Sequence, residues 1–180
     1  MVEVPTKPLD YGCKMFVPKT REGKRGQEKG VKYLLFLLNQ SPGNSLSPVI
    51  NSGDTVKILF GYYDCHQVER GDIVAHHYVG NENPIIKIVK GLPRDSYELK
   101  EAGLGEWHIL INGQILENSE DKPYLVSGNR YKMLSLYEDD YKNGIPQNTY
   151  LILGNLVEGS LDATRFGFVD KSDILGKVVH

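Results

Sequence analysis

Apolar residues in this chain fall in short runs of alternating or near-continuous hydrophobicity, each closed by Gly, Asn, Asp or Pro. Tyr33 to Leu38 is one such run, followed by the loop NQSPGN, and TVKILFGYY from Thr55 is a second, rich in β-branched and aromatic residues. ERGD then makes a turn before IVAHHYV, and GNENP makes another before IIKIVKGL. WHILINGQILE reads as a hairpin, its Asn112-Gly113 pair favouring a type I′ turn. IPQNTYLILGN is a later strand, and the tail DKSDILGKVVH is a short strand or turn that closes the domain. Segments this short, at this spacing, predict a mainly β, antiparallel or mixed architecture, with only brief helix windows.

Two stretches stand outside that pattern. Residues 1–32 mix prolines and glycines with the segment PKTREGKRGQEKGVK and read as a loosely ordered amino-terminal arm. Its cations are interrupted by Glu22 and Glu28, which suits a solvated segment better than a membrane-binding patch. Residues 117–143 are polar and tyrosine-rich, an excursion from the core. The remainder, residues 33–180, is expected to form a single domain, long enough to bury a core without metal or disulfides.

Composition narrows the function. A net charge of -2 with 24% charged residues gives no bulk attraction to nucleic acid or anionic lipid. Neither a dinucleotide fingerprint nor a P-loop is visible, and no cofactor is implied. Cys13 and Cys65 are widely separated and lack a CxxC partner, so free thiols in a reducing compartment are the simpler expectation. No apolar run approaches the length that spans a bilayer, and the amino terminus lacks the basic start and apolar centre of a secretory signal. His66, His76, His77, His108 and His180 include adjacent pairs, but neighbours on a strand face opposite ways and no second pair has zinc-site spacing, so no metal site is expected.

Candidate chemistry centres on PGNSLSPVINSGD. Gly43 and Asn44 tolerate unusual backbone angles and Pro48 fixes the chain beyond them, so Ser45 can sit in a tight bend with its own N–H free to donate. A serine hydroxyl needs a base, and no triad histidine is persuasive. A lysine serves only if apolar neighbours desolvate it, because its reference pKa is near ~10.4. Lys87, inside Pro84-Ile85-Ile86-Lys87-Ile88-Val89, has such neighbours, although an alternating strand could equally point it to water. Lys90, three residues on, faces the opposite side of the strand.

The order of the pieces is more specific than any one of them. Gly43-Asn44-Ser45-Leu46-Ser47-Pro48-Val49, then ERGDIVAHH, then Lys87-Ile88-Val89-Lys90-Gly91-Leu92-Pro93-Arg94-Asp95, then ILINGQILE, then Gly154-Asn155-Leu156 with Ser160-Leu161-Asp162-Ala163-Thr164 together resemble the type I signal peptidases, serine-lysine proteases of the S26 class. The resemblance covers roughly Tyr33 to Val179. It implies a signal-peptidase-like antiparallel β catalytic core, related to that of LexA-like self-cleaving repressors. Ser45 is then the nucleophile and oxyanion donor through its backbone N–H, and Lys87 the general base. Ser160 matches the serine that hydrogen-bonds the lysine, and Asp162 the buried structural carboxylate.

Departures from the family pattern are Ile88 for arginine, Asn155 for aspartate, Leu156 for asparagine and Thr164 for arginine, with Arg165 one position late. They thin the charged bracing of the site, and Gly43 stands where some relatives carry a second oxyanion donor. The implied substrate is an extended peptide or preprotein with small residues one and three positions before the cut. Members are usually membrane-anchored just upstream of the serine box, so the expectation here is a soluble relative, cytoplasmic if the chain is full length, or one whose anchor is missing. A self-cleaving regulator and a non-catalytic peptide-binding or scaffold protein are the alternatives.

Overall fold

The computed structural model describes residues 44–79, 83–141 and 144–180 in full and the backbone alone of residues 24–28 and 31–37. Eight strands build the larger sheet: β1 (Lys24–Glu28), β2 (Val31–Leu37), β3 (Thr55–Phe60), β4 (Ile73–His76), β5 (Ile85–Gly91), β10 (Thr149–Leu153), β11 (Val169–Asp170) and β12 (Ile174–Val179). They lie side by side in the order β1, β2, β3, β12, β4, β5, β10, β11, and each neighbouring pair is antiparallel. A smaller antiparallel sheet holds β6 (Tyr97–Gly103), β7 (Glu106–Ile111), β8 (Gln114–Ile115) and β9 (Leu125–Val126). The fold is therefore mainly antiparallel β.

Turn chemistry accounts for much of this course. Asn112 and Gly113 both take positive φ, 53° and 76°, as the type I′ hairpin from β7 to β8 requires. In the ERGD turn the Asp72 carboxylate, 8% exposed, accepts from Lys177 Nζ at 2.6 Å and from the Tyr63 hydroxyl at 2.9 Å, tying β12 to the entry of β4. Gly91 ends β5 where any side chain would overlap β10, since a Cβ there would sit 2.9 Å from Leu151 Cβ. Arg94 occupies, at φ 72°, the place where the resembled lysine box has a second glycine, in backbone space that costs an L-residue about 1 kcal/mol. The turn is secured by Asp95, which accepts from Leu92 N at 2.6 Å and from Arg70 at 2.7 Å.

Several sequence expectations change. Residues 24–28, read as part of the arm, form β1 and pair with β2; residues 1–23 lie outside the described residues. The tail, expected as a short strand or turn, is the six-residue strand β12, lying between β3 and β4. The excursion contains a full helix, α1 (Gly128–Asp140), instead of a brief window. Leu134 is wholly buried from it, and Tyr131 and Tyr137 pack on the same core. Cys65 is disulfide-bonded, which corrects the free-thiol expectation for that residue; Cys13 lies outside the described residues. No helix among the described residues is long and apolar enough to cross a membrane.

Candidate active site

Ser45 opens a tight turn, with Ser47 N–H donating to Asn44 O at 2.9 Å and Ile50 N–H to Leu46 O at 3.1 Å. Leu46 and Ile50, 5% and 2% exposed, sink into the core formed with Ile86 and Ile88, so two apolar anchors hold the bend down and leave Ser45 at its half-buried rim. Beneath it, β4 and β5 pair with Val74 opposite Lys87. Alternation turns Ile86 and Ile88 toward one core and leaves Lys87 with Val74 and Val89 on the other face.

Lys87 is 3% exposed, and its Nζ donates to Ser45 Oγ at 3.1 Å and to Ile86 O at 2.8 Å. Burial pulls its pKa down to about 8, against the opposing pull of the Asp162 carboxylate. His76, on the same face two residues along β4 from Val74, is 5% exposed, with its ring tilted against that of Phe166 at 5.3 Å between centroids. Burial lowers its pKa, keeping the imidazole neutral beside the lysine. Lys90 points elsewhere, donating to Glu117 O at 2.7 Å with its Nζ 5.4 Å from the centre of the Tyr124 ring.

The last box reaches the serine through Gly154 and Asn155. Asn155 N–H donates to Ser45 O at 2.6 Å. A side chain on Gly154 would overlap Ser160 Oγ and lie 2.9 Å from Ser45 O, so only glycine admits this approach. The Ser160 hydroxyl donates to Asp162 Oδ2 at 2.6 Å, whereas both described bonds of Lys87 Nζ go to Ser45 and Ile86. Asp162, 1% exposed, caps the short helix α2 (Ala163–Phe166). It accepts four bonds in all, the others coming from Gly154 N at 3.1 Å, Thr164 N at 3.0 Å and the Thr164 hydroxyl at 2.7 Å.

The expected thinning of this bracing has a different outcome at two positions. Asn155 is 1% exposed, and its Nδ2 donates to Ser47 O and Ser119 Oγ, both at 2.8 Å, while Oδ1 accepts from Ser119 N at 3.0 Å. An amide makes both kinds of bond; a carboxylate could only accept. Asn155→Asp is therefore expected to cost about 1–3 kcal/mol in denaturant unfolding, because it sets a charge against the Ser47 carbonyl. At Thr164, the hydroxyl accepts from Arg130 Nε at 3.0 Å, and Arg130 comes from α1.

The excursion thus supplies residues that local patterning overlooked. Asn118 Nδ2 donates to Asn155 O at 2.9 Å, the Tyr124 hydroxyl donates to Gly154 O at 2.6 Å, and Ser119 and Arg130 act as above. Only Asn118 carried a local signal: in NSED its side chain accepts from the N–H groups of Glu120 and Lys122, an Asx-type turn. Among the described residues no cluster of three or more His, Cys, Asp or Glu could hold a metal ion.

Signal peptidase IB of Staphylococcus aureus (strain COL) is 28% identical over 147 residues, spanning 76% of this chain and 72% of that protein. Signal peptidase I of Bacillus caldolyticus is 30% identical over 139 residues, 76% of this chain and 73% of that one. A crystal structure of a signal peptidase I from Enterococcus faecalis V583 aligns with 62% of this chain and 97% of its own, at 22% identity and a TM-score of 0.43. The family model described as signal peptidase, peptidase S26, matches residues 30–180, and the chain belongs to that family.

Proposed function

We propose that this protein is a serine endopeptidase of the signal peptidase I type, in which Ser45 and Lys87 form the catalytic pair and residues 33–180 the catalytic unit. The observation that carries the reading is the 3.1 Å contact between Ser45 Oγ and a lysine that is 3% exposed. A buried lysine with a pKa near 8 holds a useful fraction of free base at neutral pH, which an exposed lysine does not.

In the proposed reaction Ser45 Oγ attacks the scissile carbonyl carbon as Lys87 Nζ takes the hydroxyl proton. The tetrahedral oxyanion forms beside the Ser45 backbone N–H, a preorganised donor. Collapse breaks the C–N bond, Lys87 returns the proton to the departing amine, and an ester on Ser45 remains. Lys87 then deprotonates a water, which hydrolyses the ester, and the proton goes back to Ser45 Oγ. Ser160 and Asp162 support the lysine side through the hydrogen-bonded corner they share with Gly154.

The substrate is a preprotein segment bound in extended form as an added strand, with small side chains one and three residues before the cut, as the family resemblance implies. The test is cleavage of an Ala-x-Ala peptide and of a preprotein by the wild type and by Ser45→Ala, with mass spectrometry of products and of the intact enzyme. The expected result is a cut after a small residue that Ser45→Ala abolishes. The rate should rise with pH and level off above about 8, because the active form is the deprotonated lysine and its fraction grows as pH passes the Lys87 pKa. A cut confined to its own chain would favour a self-processing regulator, and an inert wild type would refute the enzyme.

A further inference from the structure

We propose that Arg130, delivered by the inserted helix α1, is a positioning residue for the Ser45–Lys87 pair: it provides the standing positive charge beside Asp162, so that Lys87 can lose its own. The inference rests on the dyad reading above.

Asp162 is 1% exposed and its oxygens are saturated by four donors, but hydrogen-bond donors alone do not balance a buried charge. Among the described residues, Lys87 and Arg130 are cations that feel that carboxylate. Lys87 is neutral whenever it acts as a base, which leaves Arg130 as the permanent partner.

Its geometry is built for that place. Arg130 Nε donates at 3.0 Å to Thr164 Oγ1, whose hydroxyl donates at 2.7 Å to Asp162 Oδ1, and Nη1 donates at 2.6 Å to Glu158 O. The guanidinium lies flat against Gly159, where φ is 105° and a Cβ would sit 2.5 Å from Arg130 Cζ. Thr164 stands where the resembled box has arginine, and Arg165 is exposed and, among the described residues, donates to Ser160 O at 3.1 Å. The cation missing from the last box is thus supplied from 34 residues upstream.

The other titratable groups around the pair do not take over this role. His76 reaches Lys87 from β4 as a neutral imidazole, and the Tyr124 hydroxyl is held protonated by burial and by Asp162. Glu158 and Arg165 flank Arg130 with opposite signs. Without Arg130, the attraction of Asp162 for the Lys87 ammonium is no longer offset, and the lysine keeps its proton to higher pH.

The test is an NMR titration of the Lys87 side chain with 13C-labelled lysine, in the wild type, Arg130→Gln and Arg130→Lys, the resonance being assigned by its loss in Lys87→Met. Arg130→Gln should raise the Lys87 midpoint by about one pH unit, and Arg130→Lys should leave it near the wild-type value. Peptide cleavage by Arg130→Gln should fall about tenfold at pH 7, the loss in free base that such a shift produces, and recover in alkaline solution. Should Arg130→Gln not fold, Arg130→Met, which keeps the long apolar stem, serves the same comparison. An unmoved midpoint overturns the coupling whatever cleavage does, as does an equal shift in Arg130→Lys. A midpoint that moves while cleavage fails to follow it leaves the coupling standing and counts instead against Lys87 as the base.

Discussion

Lys87→Met is expected to abolish peptide cleavage and to leave a protein at least as stable as the wild type. The two halves of that result have separate causes. Methionine is close to lysine in length and apolar, and it enters a site that is 3% exposed and lined by Val74 and Val89. Exchanging a buried ammonium for a well-packed apolar side chain is often neutral or stabilising. Cleavage, by contrast, loses the proposed base, and removal of one member of such a unit costs on the order of 10⁴-fold or more. Turnover and the midpoint of thermal unfolding, measured on one preparation, check both halves. Lys87→Arg should be equally inactive, since a guanidinium does not deprotonate at working pH. Residual cleavage within about tenfold of wild type would move the base to another group, such as the neutral His76 imidazole on the same face of the sheet.

Asp162→Ala has the largest effect on stability. Its removal leaves Gly154 N, Thr164 N and the hydroxyls of Ser160 and Thr164 without their acceptor, and strips Arg130 of its counter-charge. Unsatisfied buried donors, with a half-buried cation left without that nearby carboxylate, together cost about 3–5 kcal/mol. Asp162→Asn, which keeps an acceptor of the same shape, should lose less than half as much. Urea unfolding of the three proteins at equal slope gives the comparison directly. If Asp162→Ala loses under 1 kcal/mol, the carboxylate is not what holds the last box together.

How far the sequence disclosed this arrangement depends on the kind of information each part needs. The strands were visible because alternation and turn residues are local, and the NG hairpin follows from two adjacent residues. The proximity of Ser45 and Lys87 was anticipated from ordered boxes, not from either residue alone, since an alternating strand gives no sign of which lysine is buried. Helix α1 escaped because its buried face is made of Tyr131, Leu134 and Tyr137 among charges, a pattern that reads as polar. Arg130 escaped for a different reason: its relevance depends on Thr164, and no local rule links positions so far apart. Asn155 looked like the loss of a charge, and only its three side-chain hydrogen bonds, to Ser47 and Ser119, show why an amide belongs there.

The place of β12 also bears on how the molecule assembles. Residues 174–179 lie between β3, which follows the serine turn, and β4, which backs the lysine strand. The strand that follows Ser45 and the strands that back and carry Lys87 are therefore joined in the sheet by the strand that leaves the ribosome after both. Pairing of Ile58 with Val178 spans most of the chain, the kind of distant contact that slows folding. A nascent chain accordingly completes this sheet only once residues 174–179 are available to pair with β3 and β4.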